Sequence, residues 1–147
     1  MFSWLFSDPL PVGTQAPDFA LSAQDGSKVS LSSLRGKNVV LVFYPGDDTS
    51  VCTKQLCEFR DTWAFAKEKN AVIFGVNPQS VASKLKFQKK YNFPFPLLSD
   101  PGQRVCELYH ARGIAAKRTV YLIGPDGVIC YAKRGKPSPA EVFEAAA

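Results

Sequence analysis

The stretch NVVLVFYPGDDTSVCTKQLCEFRD, residues 38–61, decides the fold. Residues 38–45 are a nearly continuous apolar run rich in β-branched side chains, the pattern of a strand covered on both faces, and Pro45-Gly46 ends it. From Ser50 the apolar residues Leu56, Phe59, Trp63 and Ala66 recur at spacings of three and four, which predicts a helix with one buried stripe. Two thiols, Cys52 and Cys57, lie five positions apart in that helix, the first of them in its opening turn.

The same reading extends in both directions. Downstream, AVIFGVN (residues 71–77) predicts a second buried strand, and SVASKLKFQKKYN a second helix capped by Ser80. FPFPLLSDPG holds a short extended piece stopped by Asp100-Pro101-Gly102, and residues 103–110 form a third helix. TVYLIGPDGVICYAKRG reads as a hairpin around Gly124-Pro125-Asp126-Gly127, and the short helix that follows starts with Ser138 as cap and Pro139 in the first turn. Upstream, APDFALSAQDGSKVSL is an N-terminal hairpin with QDGS as its turn and Phe19, Leu21, Val29 and Leu31 in its strands. Strands alternating with helices and closed by a hairpin make an α/β fold, a central mixed β-sheet flanked by helices. No repeat, low-complexity tract or linker interrupts residues 1–147, so one domain is expected.

Composition narrows the function. The chain has 147 residues, 46% hydrophobic and 21% charged, ordinary globular usage. Its net charge of +5 is compatible with an acidic partner, yet the basic residues are dispersed. The densest run, residues 84–90, sets Lys86, Lys89 and Lys90 between Leu85 and Phe87 at helical spacing, which reads as a solvated helix face; without a recognised motif, no nucleic acid is expected. The tip MFSWLFSDPLPVG is apolar at Phe2, Trp4, Leu5 and Phe6 but lacks a basic leader and is interrupted at Asp8-Pro9, so it reads as a packed arm or a subunit contact. No stretch approaches the roughly 20 apolar residues of a membrane span, and a cytoplasmic location is expected. Four cysteines without an export signal argue against a structural disulfide framework. Metal is not expected either: there is no Cys-x-x-Cys, and His110, the single histidine, reads as an exposed residue at a helix end.

The thiols carry the chemistry. In open α/β sheets ligands bind beyond the carboxyl ends of the strands, where loops feed helix N-termini. Cys52 falls at such a junction, where unpaired N–H groups and the helix dipole favour a thiolate and lower the pKa from its usual value of about 8.5. Its polar approach, GDDTSV, argues against deep burial, whereas Cys106 and Cys130 sit among apolar neighbours and read as small buried hydrophobes. Helical positions five apart have Cα atoms roughly 8 to 9 Å apart, and a disulfide rarely tolerates more than about 7 Å. Cys52 and Cys57 therefore join only if the first helical turn unwinds, a spacing suited to a reaction cycle rather than to a static bridge.

The pattern Pro-x-x-x-Thr-x-x-Cys, met by Pro45, Thr49 and Cys52, together with Arg118 in KRTVYLI, resembles that of the peroxiredoxins, specifically the bacterioferritin comigratory protein (peroxiredoxin Q) group. The similarity runs from VGTQAPDFAL to RTVYLIGPDGVI. The resemblance implies a thioredoxin-like fold and a thiol peroxidase acting on hydrogen peroxide and organic hydroperoxides. In it Cys52 is the peroxidatic thiol, oxidised to a sulfenic acid, and Cys57 resolves it as an intramolecular disulfide that a thioredoxin-type dithiol reduces. Thr49 then offers its hydroxyl to thiolate and peroxide, Pro45 covers the pocket, and Arg118 supplies a fixed fork of donors to the developing charge. No metal, haem or flavin is implied, and a monomer or weak homodimer is left open. Many relatives place Pro-Gly where this chain has Ser50-Val51, which alters the pocket rim. Two other readings are a protein disulfide oxidoreductase, against which the five-residue spacing speaks, and a redox-sensing binding module.

Overall fold

The computed structural model describes residues 7–146, so the apolar tip at Phe2, Trp4, Leu5 and Phe6 lies outside the described residues. Seven strands, β1 (Ala20–Ala23), β2 (Lys28–Ser30), β3 (Asn38–Phe43), β4 (Ala71–Asn77), β5 (Leu97–Ser99), β6 (Thr119–Ile123) and β7 (Ile129–Arg134), make one sheet in the order β2-β1-β5-β4-β3-β6-β7. The three central strands β3, β4 and β5 run parallel, and β1, β2, β6 and β7 join antiparallel at the flanks. The helices are α1 (Ser50–Asp61), α2 (Trp63–Glu68), α3 (Val81–Tyr91), α4 (Arg104–Leu108) and α5 (Pro139–Glu144).

Strand β3 shows why the sheet is covered twice. Its alternate residues Val39, Leu41 and Phe43 enter a core with Phe19, Tyr109 and Tyr121, while Val40 and Val42 enter a second core with Leu56, Phe59, Phe87 and Phe143. Helices α1, α2, α3 and α5 cover the second face and α4 the first. In β4, Gly75 lets Tyr44 and Leu97 close over the strand, because a Cβ there would meet Leu97 Cδ2 at 2.9 Å and Tyr44 Cε1 at 3.0 Å.

Local signals explain most element ends. Ser80 Oγ accepts from Ser83 N at 3.1 Å and Ser138 Oγ from Glu141 N at 3.2 Å, the two expected caps. The helix expected to run from Ser50 through Ala66 is broken at Thr62, whose hydroxyl donates to the Glu58 and Phe59 carbonyls at 3.2 and 3.1 Å and competes with the helical ladder. The third helix is shorter than expected because Gln103 (φ 57°) and His110 (φ 56°), its two expected end residues, are left-handed; the buried Asp100 carboxylate accepts from Val105 N and Cys106 N in the first turn of α4. Leu31, expected in a strand, opens a short 3-10 turn. His110, expected to be exposed, is partly buried, with Nδ1 2.9 Å from the Asp8 carbonyl oxygen. Lys84 departs furthest from the solvated face expected for residues 84–90: its side chain is fully buried, while Lys86, Lys89 and Lys90 are exposed.

Candidate active site

Helix α1 begins where β3 delivers the chain beyond the carboxyl edge of the parallel strands, and Cys52 lies in its first turn. Thr49 is the cap residue, with extended backbone, and its carbonyl accepts from Thr53 N at 2.8 Å. Contrary to the expectation drawn from its polar approach, Cys52 is only 1% exposed. Its flanking turn is polar, but α1 lays the cysteine on the same stripe as Leu56 and Phe59, and that stripe faces the second core.

Sheet register brings the cationic partner. Phe43 at the end of β3 pairs with Thr119 at the start of β6, so Arg118 sits one residue beyond, beside the point where the chain leaves for α1. Arg118 Nη2 donates to Cys52 Sγ at 3.2 Å, and Nη1 donates to Gln55 Oε1 at 2.8 Å. Gln55 is itself buried, and its amide nitrogen reaches toward the Gly135 carbonyl at 3.5 Å. One guanidinium thus spans two side chains of α1, Cys52 and the residue three positions on, using the planar fork that distinguishes arginine from lysine. Gln55 was not singled out from the sequence; the signal available was its position three residues after Cys52, which places both on one helix face.

The other expected residues are placed less directly. The exposed Thr49 donates its hydroxyl to the Gly46 carbonyl over a long 3.4 Å, so it is engaged with its own loop and not with the sulfur. Pro45 is half-buried in the loop between Tyr44 and Gly46. Cys57 lies on the same unbroken helix as Cys52, half-buried against the edge of the second core, and both are free thiols. Burial is the main force pushing the Cys57 thiol above its ordinary value; Arg60 opposes the rise and Asp61 adds to it. Cys106 is fully buried, its thiol pushed far up by burial and by Asp100. Cys130 is partly buried with Sγ 3.5 Å from the Leu122 carbonyl oxygen, and burial raises it too. Among the described residues no group of three or more His, Cys, Asp or Glu side chains is placed to hold a metal ion, and no helix is long and apolar enough to cross a membrane.

Comparison with known proteins shows the family. Residues 12–132 match the AhpC/TSA family. A protein of Coxiella burnetii named peroxiredoxin bcp is 42% identical over 131 residues, covering 82% of this chain and 85% of that protein. Chloroplastic peroxiredoxin Q of Oryza sativa subsp. japonica is 42% identical over 123 residues, covering 81% of this chain but 57% of that longer protein. Among solved structures, peroxidoxin BcpB from Mycobacterium tuberculosis superposes with a TM-score of 0.86 at 30% identity, over 91% of this chain and 94% of that one. A Xylella fastidiosa PrxQ mutant superposes with a TM-score of 0.84 at 26% identity, over 94% of both chains. The sheet order and flanking helices are accordingly those of the thioredoxin-like peroxiredoxin fold. A buried cysteine in the first turn of a helix, hydrogen-bonded by an arginine that immediately precedes β6, therefore stands in a chain that belongs to the AhpC/TSA family, within its peroxiredoxin Q group, and is a thiol-dependent peroxidase of the oxidoreductase class.

Proposed function

We propose that Cys52 is the thiol oxidised by the hydroperoxide and Cys57 the thiol that resolves it. The observation that carries this reading is the 3.2 Å donation from Arg118 Nη2 to Cys52 Sγ, because a thiolate accepts a guanidinium hydrogen bond far more strongly than a thiol does. The Cys52 thiolate attacks the distal peroxide oxygen. The O–O bond breaks, a sulfenic acid forms at Cys52, and the remaining oxygen leaves as alkoxide or hydroxide and is protonated to alcohol or water. Arg118 faces the charge that moves from sulfur to the leaving oxygen, and Gln55 fixes the plane of its fork. The Thr49 hydroxyl, held only by its long bond to Gly46, is available to a peroxide oxygen after a side-chain rotation, with Pro45 shielding the same rim.

The Cys57 sulfur then attacks the Cys52 sulfur, forming the disulfide, and the sulfenic oxygen leaves as hydroxide that takes up the proton given up by the Cys57 thiol and departs as water. With both residues on one wound helix, this step requires the start of α1 to unwind. A dithiol reductant of the thioredoxin type restores both thiols by exchange, in a cytoplasmic enzyme acting as a monomer or weak homodimer on hydrogen peroxide and organic hydroperoxides. Replacement Cys52→Ser tests the assignment: peroxide consumption should vanish, and undiminished turnover by that variant would overturn it.

A further inference from the structure

We propose that Lys84 is a positioning residue for this peroxidase: its buried ammonium clamps Asp47 and so fixes the loop from which the Cys52 helix starts. The inference rests on the reading of Cys52 as the oxidised thiol and concerns a residue that never touches it.

Lys84 projects from α3 toward the carboxyl ends of β3 and β4. Its Nζ donates to both carboxylate oxygens of Asp47, at 2.9 and 3.1 Å, and to Asn77 Oδ1 at the end of β4, and it lies 5.2 Å from the centre of the Tyr44 ring. The ion pair is shut away from water, with side-chain exposures of 0% for Lys84 and 3% for Asp47. Asp47 also accepts from the Tyr44 hydroxyl at 2.6 Å, the Ser83 hydroxyl at 2.6 Å and Asn77 Nδ2 at 3.1 Å, while its backbone N–H donates to Gln79 Oε1. Three elements thus converge on one carboxylate, and Lys84 supplies the positive charge among them.

That carboxylate belongs to the loop between Tyr44 and Thr49, which carries the chain directly into α1. Asp48 continues the attachment on the outside, bonded to Lys90 and Tyr91 at 2.8 Å each. On the other side α1 is held by Arg118 through Cys52 and Gln55. The sulfur's place against the guanidinium is therefore set from two directions, and an error of about 1 Å in such a placement costs on the order of a hundredfold in rate. Removing one member of a buried ion pair leaves the other uncompensated, so the loop must open to solvate Asp47.

The chemistry of the pair separates a positioning role from a merely structural one. Burial lowers the Lys84 ammonium to about 8, with the Asp47 carboxylate opposing the drop. The groups facing it are Asp47 and Tyr44 from the β3 end, Asn77 from β4 and Cys106 from α4, the last with Asp100 behind it. The folded chain releases this proton at lower pH than the unfolded chain, whose lysine titrates near 10.5, so this group's contribution to stability rises between about 8 and 10.5. The ammonium that makes the clamp is lost as pH passes through about 8, at the lower end of that interval. The oxidation rate should fall where this contribution to stability begins to climb.

The experiment is rapid-mixing oxidation of the full chain by hydrogen peroxide across neutral to alkaline pH, with a thermal melt at each point, for wild type, Lys84→Met, Asp47→Asn and the exposed control Lys86→Ala. Wild type and control should lose rate as pH rises through about 8. Lys84→Met should be about tenfold to a hundredfold slower at neutral pH, with no further alkaline loss. Asp47→Asn, which removes the charge that sustains the ammonium, should move the loss to lower pH, and it carries the test should Lys84→Met fail to fold. Lys84→Met oxidised at the wild-type rate, or an alkaline profile unmoved in Asp47→Asn, overturns this inference alone. A wild-type chain whose Cys52 does not react overturns the parent reading with it.

Discussion

Arg118→Met deletes the guanidinium while keeping an unbranched side chain that reaches about as far as the arginine Nε. It removes the 3.2 Å bond to Cys52 Sγ and the 2.8 Å bond to Gln55 Oε1. Hydrogen bonds to charged groups are worth about 1.5–3 kcal/mol net. If the first of these acts on the thiolate and on the departing oxygen, its loss slows Cys52 oxidation by about 10- to 150-fold, at 1.36 kcal/mol for each factor of ten. Arg118→Lys should recover only part of this, because one ammonium cannot span Cys52 and Gln55 as the fork does. The assay is single-turnover oxidation by hydrogen peroxide, alongside thermal melting to separate damage to the fold. A folded Arg118→Met variant oxidised within about threefold of wild type would refute the role given to the guanidinium.

Two further outcomes are expected. Cys57→Ser should undergo one stoichiometric oxidation and then stall in a coupled assay with a thioredoxin-type reductant; sustained recycling would assign resolution to another thiol. Phe143→Ala should cost about 3–5 kcal/mol in chemical denaturation, because its fully buried ring packs edge-on against Phe59 at 6.3 Å and Phe65 at 5.6 Å, and a loss below about 1 kcal/mol would show that α5 does not seal this core.

What was legible in the sequence follows from the range of the forces involved. β3 and β4 could be read because burial on both faces leaves no polar alternation, and the starts of α3 and α5 because Ser80 and Ser138 close their own caps within three residues. Cys52 was legible as a helix-start thiol, but its burial was not, since the face that α1 turns inward is set by packing rather than by the loop before it. Arg118 came from family resemblance; the contact depends on the β3–β6 register, which joins residues far apart in the chain. Lys84 was misread for the same reason. Its burial is compensated by Asp47 across a separation of 37 positions, and the one local hint was Phe87, three residues on and buried on the same side of α3. The break at Thr62 is the opposite case, a local competition between a hydroxyl and the helix ladder that an unbroken apolar stripe conceals.

The most direct measurement is peptide mapping by mass spectrometry of the full chain after one equivalent of hydrogen peroxide, with a sulfenic acid trap present in a parallel sample. Trapped label on Cys52 and, without the trap, a Cys52–Cys57 crosslinked peptide are the expected result. Cys52 recovered as a free thiol while Cys57, Cys106 or Cys130 carries the oxidation would contradict the assignment of Cys52 as the thiol that meets the peroxide.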